Sequence, residues 1–271
     1  MEQRRIDVER IEDIVVWRFV NPPEGYMDDA TEARLAEVLE DFESDPNARV
    51  AVLTGGQEDV FIRHYDVRIL ETRSRAMAER GLAFSTERPV PEPLLHRCMR
   101  RIEVSAKPYI CALNGTAMGG GFELALACDL RLVQDGFFDL GLPEVNIGLM
   151  PGAGGTQRLP RLIGGAKALE MTLLGRTLSP REALACGLVI ACTEGPVLPR
   201  ALELARELAG KSPKALAHIK RSVRGALDLP PEQGLAEERT LFCDLMVDPE
   251  GLARMAAMNE RNLDIRDAAQ A

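Results

Sequence analysis

Hydrophobic residues in the first part of the chain occur in short β-rich runs separated by stretches with helical spacing. Residues 6–20 predict two strands, and residues 50–54 predict a short buried strand followed by two glycines. Between them, a helix is expected to begin at Asp29, with Glu32 three residues later in capping-box spacing. One face of that helix carries four apolar residues: Leu35, Val38, Leu39 and Phe42. Strands and helices in this order, with short links, predict an α/β fold.

The strand–helix–strand unit recurs further along the chain. Residues 109–113 predict a strand, and a helix is expected from Phe122 to about Cys128, directly after three glycines. Residues 129–133 again predict a strand. The repeated unit strengthens the prediction of an α/β core.

Residues 66–107 are more polar, rich in Arg and Glu, and interrupted by three prolines. They predict a helix, a mobile loop near residues 84–93, and a second helix ending near Val104. The charged part, from Asp66 to Arg88, is expected to be a flexible lid rather than an ordered core helix.

Beyond residue 195 the pattern is helical throughout. Four amphipathic helices are predicted, around residues 202–208 and over residues 213–227, 231–246 and 249–261. We therefore expect a catalytic core over residues 1–195 and a helical C-terminal domain over residues 196–271. Apolar positions in this tail, including Met255 and Met258, need a partner surface within the subunit or in an oligomer.

Amino-acid composition and net charge argue against some classes of binding partner. The 271 residues are 46% hydrophobic and 28% charged, which is enough to bury a sizeable core, and the net charge is −9. This acidic balance is not typical of nucleic-acid-binding or membrane-binding surfaces, so neither partner is expected. The N-terminal residues resemble neither a signal peptide nor a transit peptide, and no apolar run reaches the length of a membrane span. A cytoplasmic location is therefore expected.

Cysteine and histidine usage points to no metal site. The six cysteines form no CxxC pair and mostly lie among apolar neighbours: Cys98, Cys111, Cys128, Cys186, Cys192 and Cys243. We interpret them as small buried hydrophobic residues of a protein in a reducing compartment. The three histidines are too few and too scattered to suggest metal ligands: His64, His96 and His218.

Two glutamates stand in settings that suit acid–base chemistry. Glu123 lies one turn into the helix after the triple glycine, among apolar neighbours, where a carboxylate is costly to bury without a partner. The unpaired N–H groups around Gly120 suit an anion or oxyanion, although a tight turn would explain the glycines equally well. Glu144 follows Pro143 in a segment with few charges, ahead of a second glycine-rich approach to a helix at residues 151–156. Taken alone, each glutamate fits either a catalytic acid or an ordinary surface acid.

Three long motifs resemble the crotonase superfamily, which contains enoyl-CoA hydratases and isomerases. They read GGGFELALACDL, LPEVNIGLMPGAGGTQRLPRLIG and AKALEMTLLGRTLSPREALACGLV. The resemblance implies a crotonase-like spiral of ββα turns, a helical C-terminal trimerisation domain, and a homotrimer or hexamer. It also implies an acyl-CoA thioester substrate, with coenzyme A as part of that substrate and no separate cofactor.

The resemblance assigns roles to single residues. Gly120 matches the glycine whose N–H forms half of an oxyanion hole, and Gly152 matches the glycine at the start of the helix that supports the site. Glu123 and Glu144 match the two glutamates of hydratases. In syn addition of water across the 2,3 double bond, Glu123 would activate water and Glu144 would protonate the α-carbon. The presence of both glutamates favours hydration, because the resembling isomerases usually rely on the one that matches Glu144.

One segment departs from the family pattern. Where the family usually has F-S-A-G-A-D, this chain has six residues with bulky replacements: Phe61-Ile62-Arg63-His64-Tyr65-Asp66. The resemblance assigns the second oxyanion N–H to Arg63, and it makes Arg63, His64, Tyr65 and Asp66 candidates for substrate binding. Alternatively, the loop is reshaped and its side chains point outward. An isomerase, a thioester hydrolase or a non-catalytic acyl-CoA-binding protein on the same scaffold are the competing functions.

Overall fold

Two sheets and the helices packed on them form the core of the protein. A computed structural model describes residues 5–267. The larger sheet has six strands in the order β1-β2-β3-β5-β7-β10, and the smaller has four in the order β4-β6-β8-β9. In the larger sheet only the β1–β2 pair is antiparallel. The strands are β1 Ile6–Ile11, β2 Ile14–Phe19, β3 Val50–Gly55, β4 Asp59–Ile62, β5 Tyr109–Leu113, β6 Gly115–Met118, β7 Leu130–Gln134, β8 Leu140–Gly141, β9 Thr177–Leu178 and β10 Ala191–Thr193.

Eleven α-helices lie within the described residues. They are α1 Asp29–Ser44, α2 Val67–Glu79, α3 Leu94–Val104, α4 Gly119–Ala127, α5 Gly155–Ile163, α6 Gly165–Leu174, α7 Pro180–Ala185, α8 Val197–Ala209, α9 Pro213–Gly225, α10 Pro231–Met246 and α11 Pro249–Glu260. A short 3-10 helix covers Glu144–Ile147. The predicted α/β fold is confirmed.

Both faces of the large sheet are covered, which explains why residues 14–17 of β2 are all apolar. Trp17 and Phe19 belong to one hydrophobic cluster, whereas Ile14 and Val16 belong to a second cluster on the opposite face. Successive side chains in a strand point to opposite faces, so a strand buried on both sides has no polar alternation. Helix α8 completes the second cluster through Val197 and other small residues.

Helix α1 begins at Asp29 as predicted, but its cap lies one residue earlier. Asp28 is the N-cap, and its carboxylate accepts the Thr31 N–H while the Thr31 hydroxyl oxygen accepts the Asp28 N–H. The capping box is therefore Asp28–Thr31, and the expected Asp29–Glu32 pairing is wrong. The four predicted apolar residues of this helix are all buried: Leu35, Val38, Leu39 and Phe42.

The segment predicted to be a charged lid is an exposed helix. Helix α2 has no buried residue and is followed by residues 80–93, which are all exposed. Helix α3 ends at Val104, where the sequence predicted. A lid function for α2 stays a prediction.

The predicted C-terminal helices are present. Helix α9 is tied to the core because Lys220 and Arg224 both form ion pairs with Asp129, at 2.8 and 2.9 Å. The proposed boundary between residues 195 and 196 and the trimerisation role stay predictions.

The cysteines only partly fit the sequence interpretation. All six are free, and three are buried: Cys98, Cys111 and Cys128. Cys243 is exposed on α10, so its interpretation as a buried hydrophobic residue is wrong. Cys243 lies on a face of α10 that the other described residues do not cover.

Candidate active site

Helix α4 begins with three glycines, and two of them, Gly119 and Gly121, are at positions that a side chain would strain. Gly119 has a φ of +49°, in the left-handed region, and a Cβ on Gly121 would lie 2.4 Å from the backbone oxygen of Ile62. Gly120 lies in the first turn, where backbone N–H groups have no intrahelical acceptor. Gly120, the predicted anion-accepting position, therefore lies at the start of a helix whose remaining residues are almost all buried.

Glu123 is buried, at 2% exposure, on this same helix. Its Oε1 accepts the N–H of Ala153 at 2.7 Å and the N–H of Gly155 at 2.8 Å. Burial raises the pKa of the Glu123 carboxyl, and these two backbone bonds oppose the rise. A carboxylate held in this way has a partner, which excludes the alternative of a solvent-facing helix acid.

The glycine-rich segment after Met150 supplies those two N–H groups. Helix α5 begins at Gly155, and a Cβ on Gly155 would lie 3.1 Å from Glu123 Oε1 and 2.6 Å from a methyl carbon of Leu142. Gly152 lies three residues before the helix, so its expected position at the helix start is wrong. The close approach between helix start and carboxylate instead requires glycine at Gly155.

Glu144 lies against the beginning of α4. Its Oε1 is 3.4 Å from the position that a Gly119 Cβ would occupy, and its Oε2 is buried without a hydrogen-bond partner in the described structure. Burial, with a further contribution from the negative charge of Glu123, raises the pKa of Glu144 to about 7. The structure thus places Glu144 beside Gly119 and close enough to Glu123 for the charge of one carboxyl to affect the other.

The loop after β4 is reshaped around the segment that follows β2. The Arg63 N–H donates to the Gly25 oxygen at 2.8 Å, and Met27 exchanges two backbone bonds with His64 and Asp66. The expectation that the Arg63 N–H faces a substrate oxygen therefore does not hold. The Arg63 guanidinium is exposed and donates to the Glu24 oxygen at 3.0 Å.

His64 and Tyr65 stand next to the glycines of α4. The Cβ of His64 lies 3.6 Å from the point that a Cβ on Gly119 would occupy. The Cβ of Tyr65 lies 3.7 Å from the corresponding point at Gly120. The His64 ring stacks on the Tyr26 ring at 4.5 Å. These two residues therefore form the wall facing the start of α4, although neither has the small size that the family pattern predicts.

Polar contacts tie this wall to the neighbouring helices. The Tyr65 hydroxyl donates to Asp29 Oδ1 at 2.6 Å, and the Arg73 guanidinium binds the same carboxylate. Burial, together with the Asp29 carboxylate, raises the pKa of Tyr65. Asp66 caps α2 by accepting the Arg68 N–H at 2.9 Å, so the structure places its carboxylate on the helix rather than in the site.

Two features of the site were missed from the sequence. An open cleft of about 360 Å³ lies between α1 and α2, lined by Asp29, Arg68, Ile69, Thr72 and Arg73. An ion pair between Arg158 and Glu103 lies behind the Glu123 loop. The only local signal for the pair is an arginine near the start of a helix, where the helix dipole disfavours a cation.

Other site types lack support in the part of the chain that the structure describes. Residues 5–267 hold no cluster of three or more His, Cys, Asp or Glu side chains able to bind a metal ion. Over the same residues, no helix combines the length and apolar character needed to cross a bilayer.

Known proteins share both the sequence and the fold. A sequence model of the enoyl-CoA hydratase/isomerase family matches residues 9–256. A Bacillus subtilis protein named "Putative enoyl-CoA hydratase/isomerase YngF" is 36% identical over 209 residues, covering 77% of this chain and 76% of that protein.

Solved structures agree. DspI of Pseudomonas aeruginosa is 30% identical, with a TM-score of 0.84 over 96% of each chain. An enoyl-CoA hydratase of Bacillus anthracis is 29% identical, with a TM-score of 0.82 over 95% of this chain and 96% of that one. The chain therefore belongs to the enoyl-CoA hydratase/isomerase family and has the crotonase fold.

Proposed function

We propose that this protein adds water across the 2,3 double bond of an enoyl-CoA thioester. The observation that supports the proposal is a pair of carboxyl groups in different environments, with Glu123 buried on α4 and Glu144 partly buried against the start of that helix. Burial raises the pKa of both carboxyls, but at Glu123 the N–H groups of Ala153 and Gly155 oppose the rise, and such a difference in surroundings suits a reaction that removes one proton and delivers another. The reaction needs only the thioester and water, so no cofactor is proposed.

Glu123 is the base in this proposal. Two backbone N–H groups and the N-terminus of α5 favour its ionised form, which keeps a carboxylate available despite the burial. Both bonds go to Oε1, which leaves Oε2 to orient and deprotonate a water molecule. A base aligned in this way needs no movement of the loop before reaction.

Glu144 is the acid. With a pKa of about 7, an appreciable fraction of this carboxyl holds a proton near neutral pH. In this proposal its unpartnered oxygen delivers that proton to the α-carbon. The negative charge that develops on the thioester oxygen is received at the N-terminus of α4, where the Gly120 N–H is available.

The direct test measures loss of the conjugated enoyl absorbance of crotonyl-CoA, alongside assays for double-bond isomerisation and thioester hydrolysis. Glu123→Gln and Glu144→Gln should each lower hydration by roughly 10²–10⁴-fold, the usual contribution of one acid–base group. Glu58→Gln, at an exposed turn, is the matched control and should leave the rate unchanged. No water addition to short-chain, medium-chain or aryl enoyl thioesters would refute the proposal.

Isomerase activity would produce a different pattern. Moving a double bond requires one carboxyl to transfer a proton between carbons, whereas hydration also requires a base for water. Turnover that survives Glu123→Gln but not Glu144→Gln would therefore indicate an isomerase.

A second candidate is an acyl-CoA-binding protein without turnover. It is favoured by the bond from the Arg63 N–H to Gly25, which occupies a donor that catalysis would use. In that case acyl-CoA binds, and neither glutamine variant changes any thioester chemistry.

We also propose that the protein forms a homotrimer or hexamer through its C-terminal helices, as the family resemblance implies. Helices α9–α11 expose large apolar side chains, including Val223, Phe242 and Leu252. Surfaces of this kind mark protein–protein contacts. Sedimentation of the purified protein would give the assembly state.

A further inference from the structure

Arg158 and Glu103 form a bidentate ion pair directly behind the proposed site. Arg158 Nε lies 2.8 Å from Glu103 Oε1, and Arg158 Nη2 lies 2.8 Å from Glu103 Oε2. Only 15% of the arginine side chain and 23% of the glutamate side chain are exposed. Taking both charges out of water is costly, so the pair needs a reason beyond general stability.

The guanidinium of Arg158 binds the loop that carries the two N–H donors, Ala153 and Gly155. Its Nη1 donates to the Ala153 oxygen at 2.6 Å. A Cβ on Gly154, where φ is +101°, would lie 2.2 Å from the same Nη1. Glycine at this position therefore lets the guanidinium approach the loop backbone, and the same Nη1 lies 3.6 Å from the Met99 sulfur.

Glu123 holds the same loop from the opposite side. Its Oε1 accepts the N–H groups of Ala153 and Gly155. The Ala153 backbone is thus fixed at its N–H by Glu123 and at its oxygen by Arg158. A displacement of Arg158 moves the donors that orient the Glu123 carboxylate.

The position of Arg158 is electrostatically unfavourable without Glu103. It lies in the first turn of α5, where the positive end of the helix dipole repels a cation. Glu103 on α3 compensates that repulsion with two charge-assisted bonds, a geometry that lysine cannot reproduce. The pair therefore connects α3 to the loop at a fixed distance.

We propose that Arg158, held by Glu103, is a positioning residue that sets the orientation and charge state of Glu123. The inference rests on the proposed role of Glu123 as the base. Arg158 is mostly buried between the loop and α3, so its effect belongs to turnover rather than to thioester binding. The positive charge of Arg158 also acts to lower the pKa of Glu123, in agreement with this geometry.

The test compares Arg158→Met, Arg158→Lys and Glu103→Gln in the full-length protein. Arg158→Met should lower kcat on crotonyl-CoA by on the order of 10²-fold, the effect of misplacing a catalytic group by about 1 Å. KM should change little, because the lost interaction is not made with the ground-state substrate. Arg158→Lys should recover part of the rate, since it restores the charge without the bidentate bonds.

The pH profile separates positioning from a general loss of stability. Activity requires ionised Glu123, so removal of the Arg158 charge should move the acid limb of kcat/KM to higher pH. The same shift should appear in the carbon-13 NMR titration of the Glu123 carboxyl, assigned by its disappearance in Glu123→Gln. Arg101→Met is the matched control, because Arg101 also lies on the α3 side and pairs with two acids, Glu40 and Glu43, away from the site.

The two proposals fail in distinguishable ways. If the wild-type protein does not hydrate any enoyl thioester, the proposed function fails, and the NMR titration alone decides the role of Arg158. If Arg158→Met matches Arg101→Met in kcat, pH profile and titration, the positioning role is wrong. Should Arg158→Met not fold, Glu103→Gln and Arg158→Lys must each lower kcat relative to Arg101→Met, because both break the bidentate pair, and wild-type kcat in both overturns the inference.

Discussion

The Glu144→Gln substitution is expected to make the protein more stable at pH 8 while it removes the proposed catalytic acid. In the folded protein, burial raises the pKa of Glu144 from 4.5 to about 7. Between these two values the folded state binds more protons than the unfolded state, so stability falls as pH rises and the loss is complete above about pH 7. Glutamine does not titrate, and the variant therefore avoids this loss.

The magnitude follows from the same values. A rise from 4.5 to about 7 corresponds to about 3.4 kcal/mol at most. The Glu144 carboxyl is only partly buried, and solvent screening reduces the expected gain to about 1–2 kcal/mol. For a chain of this size, the midpoint of thermal unfolding should rise by roughly 2–6 °C at pH 8.

Thermal unfolding followed by circular dichroism at pH 5 and pH 8 measures this effect. At pH 5 the wild-type carboxyl is mostly protonated in the folded state, so the two proteins should unfold at similar temperatures. Glu58→Gln serves as the control and should show no pH-dependent difference. An equal stability difference at both pH values, or a less stable variant at pH 8, would contradict the proposed environment of Glu144.

Two further predictions concern the walls of the site. Gly121→Ala places a Cβ 2.4 Å from the Ile62 backbone oxygen, which cannot move freely. The variant should lose about 1–3 kcal/mol of unfolding free energy, measured in urea. Gly120→Ala is the control and should unfold like the wild type, because its nearest neighbour is 3.7 Å away. Asp66→Ala removes the N-cap of α2 and should destabilise that helix by about 1 kcal/mol, seen as faster amide exchange in α2 with unchanged exchange in the large sheet. Unchanged exchange in α2 would show that the cap is dispensable.

Local sequence patterns were enough to predict most strands and helices. The run 14–17 is continuously apolar because its strand is buried on both faces, and Arg18 is the one charged residue of the strand. Helix α1 was placed correctly, but two adjacent acids, Asp28 and Asp29, both suit an N-cap. Thr31 decides between them by returning a bond to Asp28, and spacing alone does not reveal that choice.

The site was only partly predictable because its decisive contacts join distant parts of the chain. The glutamates and the glycines of α4 were identified from motifs. The backbone acceptor of the Arg63 N–H is Gly25, which belongs to the loop after β2, and no local pattern at Arg63 indicates it. The partner of Arg158 is Glu103, 55 residues away on another helix.

Helix α2 has an implication for how such a site acquires new substrates. It contributes no buried side chain and is attached through the cap at Asp66 and the contact between Arg73 and Asp29. It begins two residues after Tyr65, which faces Gly120. Sequence drift in α2 therefore leaves the interior untouched while it alters the rim of the cleft. Helix grafting between related chains would therefore change this rim and leave Glu123 and Glu144, the proposed proton-transfer pair, in place.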